Sequence, residues 1–73
     1  MDRSVKLLDV VALVSDVPEK SLRRGQVGTV VEISDAGHYE VEFCDDEGRT
    51  YALAALSDEE LLVLRYSPQH AAE

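Results

Sequence analysis

Seventy-three residues carry seven basic against fifteen acidic side chains, a net charge of −8. A chain this short makes one domain, buries only roughly 60% of the surface its unfolded form exposes, and leaves no room for a separate active-site domain. The negative charge repels nucleic-acid backbones and anionic membranes, favours solubility and attracts basic proteins.

Leu7 to Val14 is apolar but interrupted by Asp9. It is too short to span a bilayer and lacks a small-residue cleavage pattern, so the expected location is the cytoplasm. Cys44 is the sole cysteine, which leaves no partner for an internal disulfide. Val10 to Val14 reads as a first strand. Ser15-Asp16-Val17-Pro18 ends it, because proline has no amide donor and restricts the residue before it. Glu19 to Gln26 is a polar loop whose one large apolar residue, Leu22, should fold inward as a plug. Gly25 and Gly28 lead into a β-branched run, the tight entry to a second strand over Val27 to Ile33.

Two similar turns follow, Ser34-Asp35-Ala36-Gly37-His38 and Asp45-Asp46-Glu47-Gly48-Arg49. Glycine in the fourth place suits a three-residue hairpin loop with a left-handed residue at its end. That loop pairs Ile33 with Tyr39, Val31 with Val41 and Thr29 with Phe43 in the first hairpin. In the second it pairs Phe43 with Tyr51 and Val41 with Leu53, so that large side chains share one face. A four-residue second loop would set Glu42 opposite Tyr51 and Glu40 opposite Leu53, leaving Tyr51 and Leu53 in water. A slip of one residue turns over a whole face, so burial selects the shorter loop.

Ser57-Asp58-Glu59-Glu60 has capping-box spacing, opening a turn or two of helix. Leu61 to Leu64 then forms a last strand, with a helix over Ser57 to Tyr66 as the alternative. The expected fold is all-β: a small SH3-like five-stranded barrel over residues 1–66, with a short helical turn before the last strand and a disordered tail over residues 67–73. An OB-fold would need a helix between its third and fourth strands, which no segment supplies.

Asp9-Val10-Val11-Ala12-Leu13, Leu22 to Glu32, Tyr39-Glu40-Val41-Glu42-Phe43 and Gly48-Arg49-Thr50-Tyr51-Ala52-Leu53 together resemble a bacterial domain-of-unknown-function family of short single-domain proteins. The likeness covers roughly residues 7 to 65. It implies an SH3-like fold and no established activity or catalytic residues. The resemblance also implies an antitoxin or immunity role, because small proteins of this type are often encoded beside toxin-like genes.

Catalytic and cofactor patterns are weak. His38 and Cys44 fall on one strand face but about 20 Å apart along it, too far to share a metal ion. Asp45, Asp46 and Glu47 directly follow Cys44 and would blunt a thiolate. Serine, histidine and aspartate all occur, but without a nucleophile elbow. The glycine pair has neither the spacing nor the following helix of a phosphate-binding loop. Lys20, Arg23 and Arg24 cluster in the first loop, but three cations neutralise few phosphates beneath so acidic a surface. The expectation is a non-enzymatic protein with no cofactor and no metal.

The register that sends Tyr39, Val41, Phe43, Tyr51 and Leu53 inward sends Glu32, Glu40, Glu42, Val30, Ala52 and Ala54 outward. Glu32 then faces Glu40, and alanines flank Glu40 and Glu42 on the other side. With Asp45, Asp46 and Glu47 at the nearby turn, this face is expected to receive a basic protein partner, such as a toxin encoded nearby. The same charge also serves solubility. An accessory or docking subunit of a larger enzyme is the alternative role, and a nucleic-acid-binding barrel a weaker one.

Overall fold

Runs of β-branched and apolar residues, set apart by turn residues, form five strands. In the computed structural model, which describes residues 5–66 and Pro68, β1 spans Val10–Leu13, β2 Val27–Ile33, β3 His38–Cys44, β4 Thr50–Ser57 and β5 Leu61–Val63. The strands pair antiparallel in one sheet of order β4-β3-β2-β1-β5. The all-β class, the five strands and the short 3₁₀ turn at Asp58–Glu60 before the last strand agree with the sequence reading. The expected tail over residues 67–73 lies outside the described residues apart from Pro68.

Closure into a barrel is not observed. The Asp58–Glu60 turn carries the chain from the end of β4 directly to β1, where Leu61, Leu62 and Val63 pair with Leu13, Ala12 and Val11. β4 and β5 therefore remain opposite edges. Leu56 of β4 and Leu61 of β5 still join one buried cluster with Val11, Leu13, Val30, Val41 and Phe43, so the sheet curls over its core. The glutamate limb of the capping box forms as expected: the Ser57 N–H donates to Glu60 Oε1 at 2.9 Å.

The first loop closes on itself. A 3₁₀ turn over Pro18–Lys20 lets Val17 and Leu22 exchange backbone hydrogen bonds, Val17 N–H to Leu22 O at 2.8 Å and Leu22 N–H to Val17 O at 3.1 Å. Leu22 plugs the core as expected, and Val17 is buried beside it.

Both hairpin loops have three residues. Ser34 N–H donates to His38 O and Asp45 N–H to Arg49 O, each at 2.9 Å, and Gly37 and Gly48 take φ of 81° and 83°. Ile33 faces Tyr39, and Glu32 faces Glu40, as expected. Beyond those pairs the expected register fails on both flanks of β3. A bulge at Val31 sets Val30, not Val31, opposite Val41, and Thr29 opposite Glu42. A second irregularity, at Tyr51, sets Ala52 opposite Phe43, Leu53 opposite Glu42 and Ala54 opposite Val41.

Packing around Phe43 explains both shifts. Phe43 is fully buried, and on β4 its partner is Ala52. On β2 it lies against Gly28, where a Cβ would stand 3.0 Å from the Phe43 ring, 2.6 Å from Val41 Cγ1 and 2.8 Å from the Glu42 carbonyl oxygen. Gly28 in turn pairs with Val11, which pairs with Val63. The inner row, Val63, Val11, Gly28, Phe43, Ala52, thus sets a small residue on each side of the Phe43 ring. The expected register would have set Thr29 and Tyr51 on either side of Phe43, three bulky groups abreast in a space for one.

Gly28→Ala is therefore expected to lower unfolding stability by about 1–3 kcal/mol, the range for overpacking a filled core. Urea titration followed by circular dichroism reads this as a lower midpoint with an unchanged slope.

Candidate functional site

Alternation along a strand sends every second side chain to the outer face. On the unbulged β3 these are Glu40 and Glu42, both half-buried. Across the outer face, one row runs Glu32, Glu40, Ala55 and the next runs Thr29, Glu42, Leu53. The three sheet glutamates of the candidate site are thus brought together, on neighbouring rows. The Thr50 hydroxyl hydrogen-bonds to Glu42 Oε2. Among the described residues, no lysine or arginine forms an ion pair with Glu32, Glu40 or Glu42. A shallow groove of ≈ 200 Å³ lies over the first row, lined by Glu32, Ser34, His38, Glu40 and Ala55.

The surroundings of these glutamates differ from the expectation. Val30 and Ala54 are buried and Ala52 packs against the core, whereas all three were expected on the outer surface. Tyr51 and Leu53, expected inside, are 49% and 56% exposed. Leu56 takes the inner place instead. Glu40 still faces an alanine, Ala55, but Glu42 faces Leu53. Tyr51 sits at the rim, its ring centroid 6.2 Å from that of Phe43 and its hydroxyl 3.1 Å from Gln26 Nε2, which donates to it. Leu53, expected in the core, His38, weighed only as a metal ligand, and Ala55, not singled out, thus join the surface around the glutamates.

The Asp45-Asp46-Glu47 turn behaves differently from the sheet glutamates. Asp45 Oδ1 accepts the backbone N–H groups of Glu47 and Arg49, both at 2.9 Å, and its Oδ2 accepts Arg49 Nε at 3.1 Å. Arg49 Nη2 reaches Glu47 Oε1 at 2.8 Å. One guanidinium is thus shared between two of the turn's three acids, Asp45 and Glu47, while Asp46 has no ion pair among the described residues. Asp45 is chiefly a turn-forming group. The Arg49 backbone N–H holds its carboxyl below the ordinary 3.8; desolvation opposes this, and the Glu47 N–H and the Arg49 side chain add smaller lowering effects.

Other features carry less chemistry. Cys44 is exposed, 3.7 Å from Thr50 Oγ1. Arg23 and Arg24 donate their backbone N–H groups to Gln26 Oε1 and Asp16 Oδ1, at 2.6 and 2.8 Å, so the basic cluster sits on a braced loop. An open groove of ≈ 390 Å³ lies at the far edge, lined by Ala12, Leu13, Val14, Arg24, Gly25 and Leu62. Among the described residues, no group of three His, Cys, Asp or Glu side chains is placed to hold a metal ion. No helix among them is long and apolar enough to cross a membrane.

Fold and site together define a small all-β protein with one sheet face built around three glutamates. Residues 7–63 match the family described as Domain of unknown function (DUF4926), and the chain belongs to that family. No curated protein and no solved structure matches the chain.

A carboxyl held below its ordinary value stabilises the fold above that value and loses the contribution as pH falls through the folded-state pKa. Asp45→Asn removes the charge that Arg49 and the two N–H groups meet. Its melting temperature is expected to lie below that of the unchanged protein at pH 6. The gap should narrow as pH falls below 3.8, in thermal melts run across that range.

Proposed function

We propose that this protein is a non-enzymatic binding module of the antitoxin or immunity type. Its outer β2-β3-β4 face receives a basic protein and covers that partner's surface. The observation that carries the reading is the pairing of Glu32 with Glu40 directly across neighbouring strands, with Glu42 one row on. Like charges so opposed cost up to about 1 kcal/mol, and among the described residues no cation relieves them. A cationic partner removes that repulsion on binding, and the net charge of −8 steers its approach. The SH3-like description remains part of this proposal, supported by the strand count, the 3₁₀ turn before β5 and the pairing of β5 with β1.

Glu40→Lys with Glu42→Lys is the direct test, since both side chains point outward and the substitutions leave the core untouched. The unchanged protein, immobilised and exposed to native lysate, is expected to retain a basic protein that elutes as salt rises. The doubly reversed protein should retain none of it, with an unchanged circular dichroism spectrum. Equal retention by the two proteins would refute the role of this face.

A further inference from the structure

One edge of the sheet lies beside these glutamates. β4 is eight residues long, Thr50-Tyr51-Ala52-Leu53-Ala54-Ala55-Leu56-Ser57, without a charge, a proline or a glycine. It pairs with β3 on one side and, among the described residues, with no backbone on the other. Alternate N–H and C=O groups along it therefore face outward unpaired. Edge strands are usually blunted by charge, proline, bulges or a cover. Among the described residues the only such device is the irregularity at Tyr51, which leaves Ala52 to Ser57 regular and without a cover from those residues.

Resting on the reading that this face takes a basic partner, we infer that the partner docks as an extended segment. The segment adds a strand to β4 along Ala52 to Ser57 and lays alternate Lys or Arg side chains across the outer face toward Glu40 and Glu42. Main-chain hydrogen bonds supply affinity in such strand addition, and alternate side chains supply specificity.

Geometry favours this occupant. An added strand would lie about 10 Å from β3, two interstrand spacings. An extended lysine or arginine meeting a glutamate covers that gap. On its way to Glu40 such a side chain crosses Ala55, whose methyl group leaves the path clear. On its way to Glu42 it crosses Leu53, 56% exposed, an apolar bed for the side chain's methylene stem. Ala55 also walls the groove over Glu32 and Glu40, so that groove adjoins the same edge. A second copy of this chain pairing through its own β4 fits less well: it would bring two chains of net charge −8 together, and β4 carries no lysine or arginine to lay across the glutamates.

The test uses the isotopically labelled full chain and a short synthetic peptide of alternating lysine and valine. A counterpart methylated at every backbone nitrogen keeps the charge pattern but cannot donate to an edge. The plain peptide is expected to slow hydrogen exchange at the outward amides of residues 52–57. The methylated one should bind roughly tenfold more weakly or worse, from the loss of several net main-chain hydrogen bonds. Equal binding of the two peptides, protection confined to other strands, or no binding of the plain peptide overturns strand addition. So does exchange protection of β4 by self-association without peptide, which sedimentation would reveal. Tight binding of the plain peptide to the folded E40K/E42K protein instead overturns the acidic-face reading, so the two ideas fail separately.

Discussion

Phe43 dictates the arrangement of the sheet. It is the bulkiest fully buried side chain, and it sits on the middle strand of the β2-β3-β4 meander. A ring in that position can be accommodated only if the residues beside it on both neighbouring strands are small. Gly28 and Ala52 are those residues. The bulge at Val31 delivers the first and the irregularity at Tyr51 the second. Val30, Ala54 and Leu56 follow inward, while Leu53 is carried to the surface.

Much of this was readable from residue order because it rests on local chemistry. Gly37 and Gly48 set the two turns, the stretch after Gly25 and Gln26 set β2, and Ser57 with Glu60 set the short turn before β5. Inward placement of Leu22 followed from its being the one large apolar group in a polar loop. The outer face was less readable because β4 carries two incompatible phases. Tyr51 and Leu53 alternate together, whereas Leu56 has the opposite parity, so no regular strand buries all three. Maximising the buried large residues near the turn chose Tyr51 and Leu53. Volume chooses differently, since a row of Thr29, Phe43 and Tyr51 cannot fit side by side. The run of small residues at Ala52 and Ala54 was the available signal: alanines in a strand mark where a large neighbour on the next strand needs space.

The glutamates keep their outward places in either register for a structural reason. Glu40 and Glu42 lie on β3, the strand against which both neighbours shift, so Val41 and Phe43 point inward in either register and the glutamates outward. Glu32 also kept its partner, because the bulge falls between Val30 and Glu32 and leaves the turn-proximal pairs unchanged. What changed is the company they keep. A face read as carboxylates flanked by alanine is one in which Leu53 lies beside Glu42, and apolar contact accompanies charge there. The turn acids Asp45 and Glu47, by contrast, contribute less field than their number suggests, because Arg49 lies between them.

The distribution of strain and charge over this small domain is therefore uneven. Turns and core follow stabilising rules: an aspartate satisfied by two N–H groups, a glycine under a ring, an alanine on the ring's other side. The outer face departs from them, with like charges opposed across two strands and an uncharged edge left open beside them. In so short a chain, whose stability margin is narrow, these departures lie together on one face and edge of the β2-β3-β4 meander. The proposed binding role rests on that concentration more than on the total charge, because solubility alone is served equally well by carboxylates spaced apart.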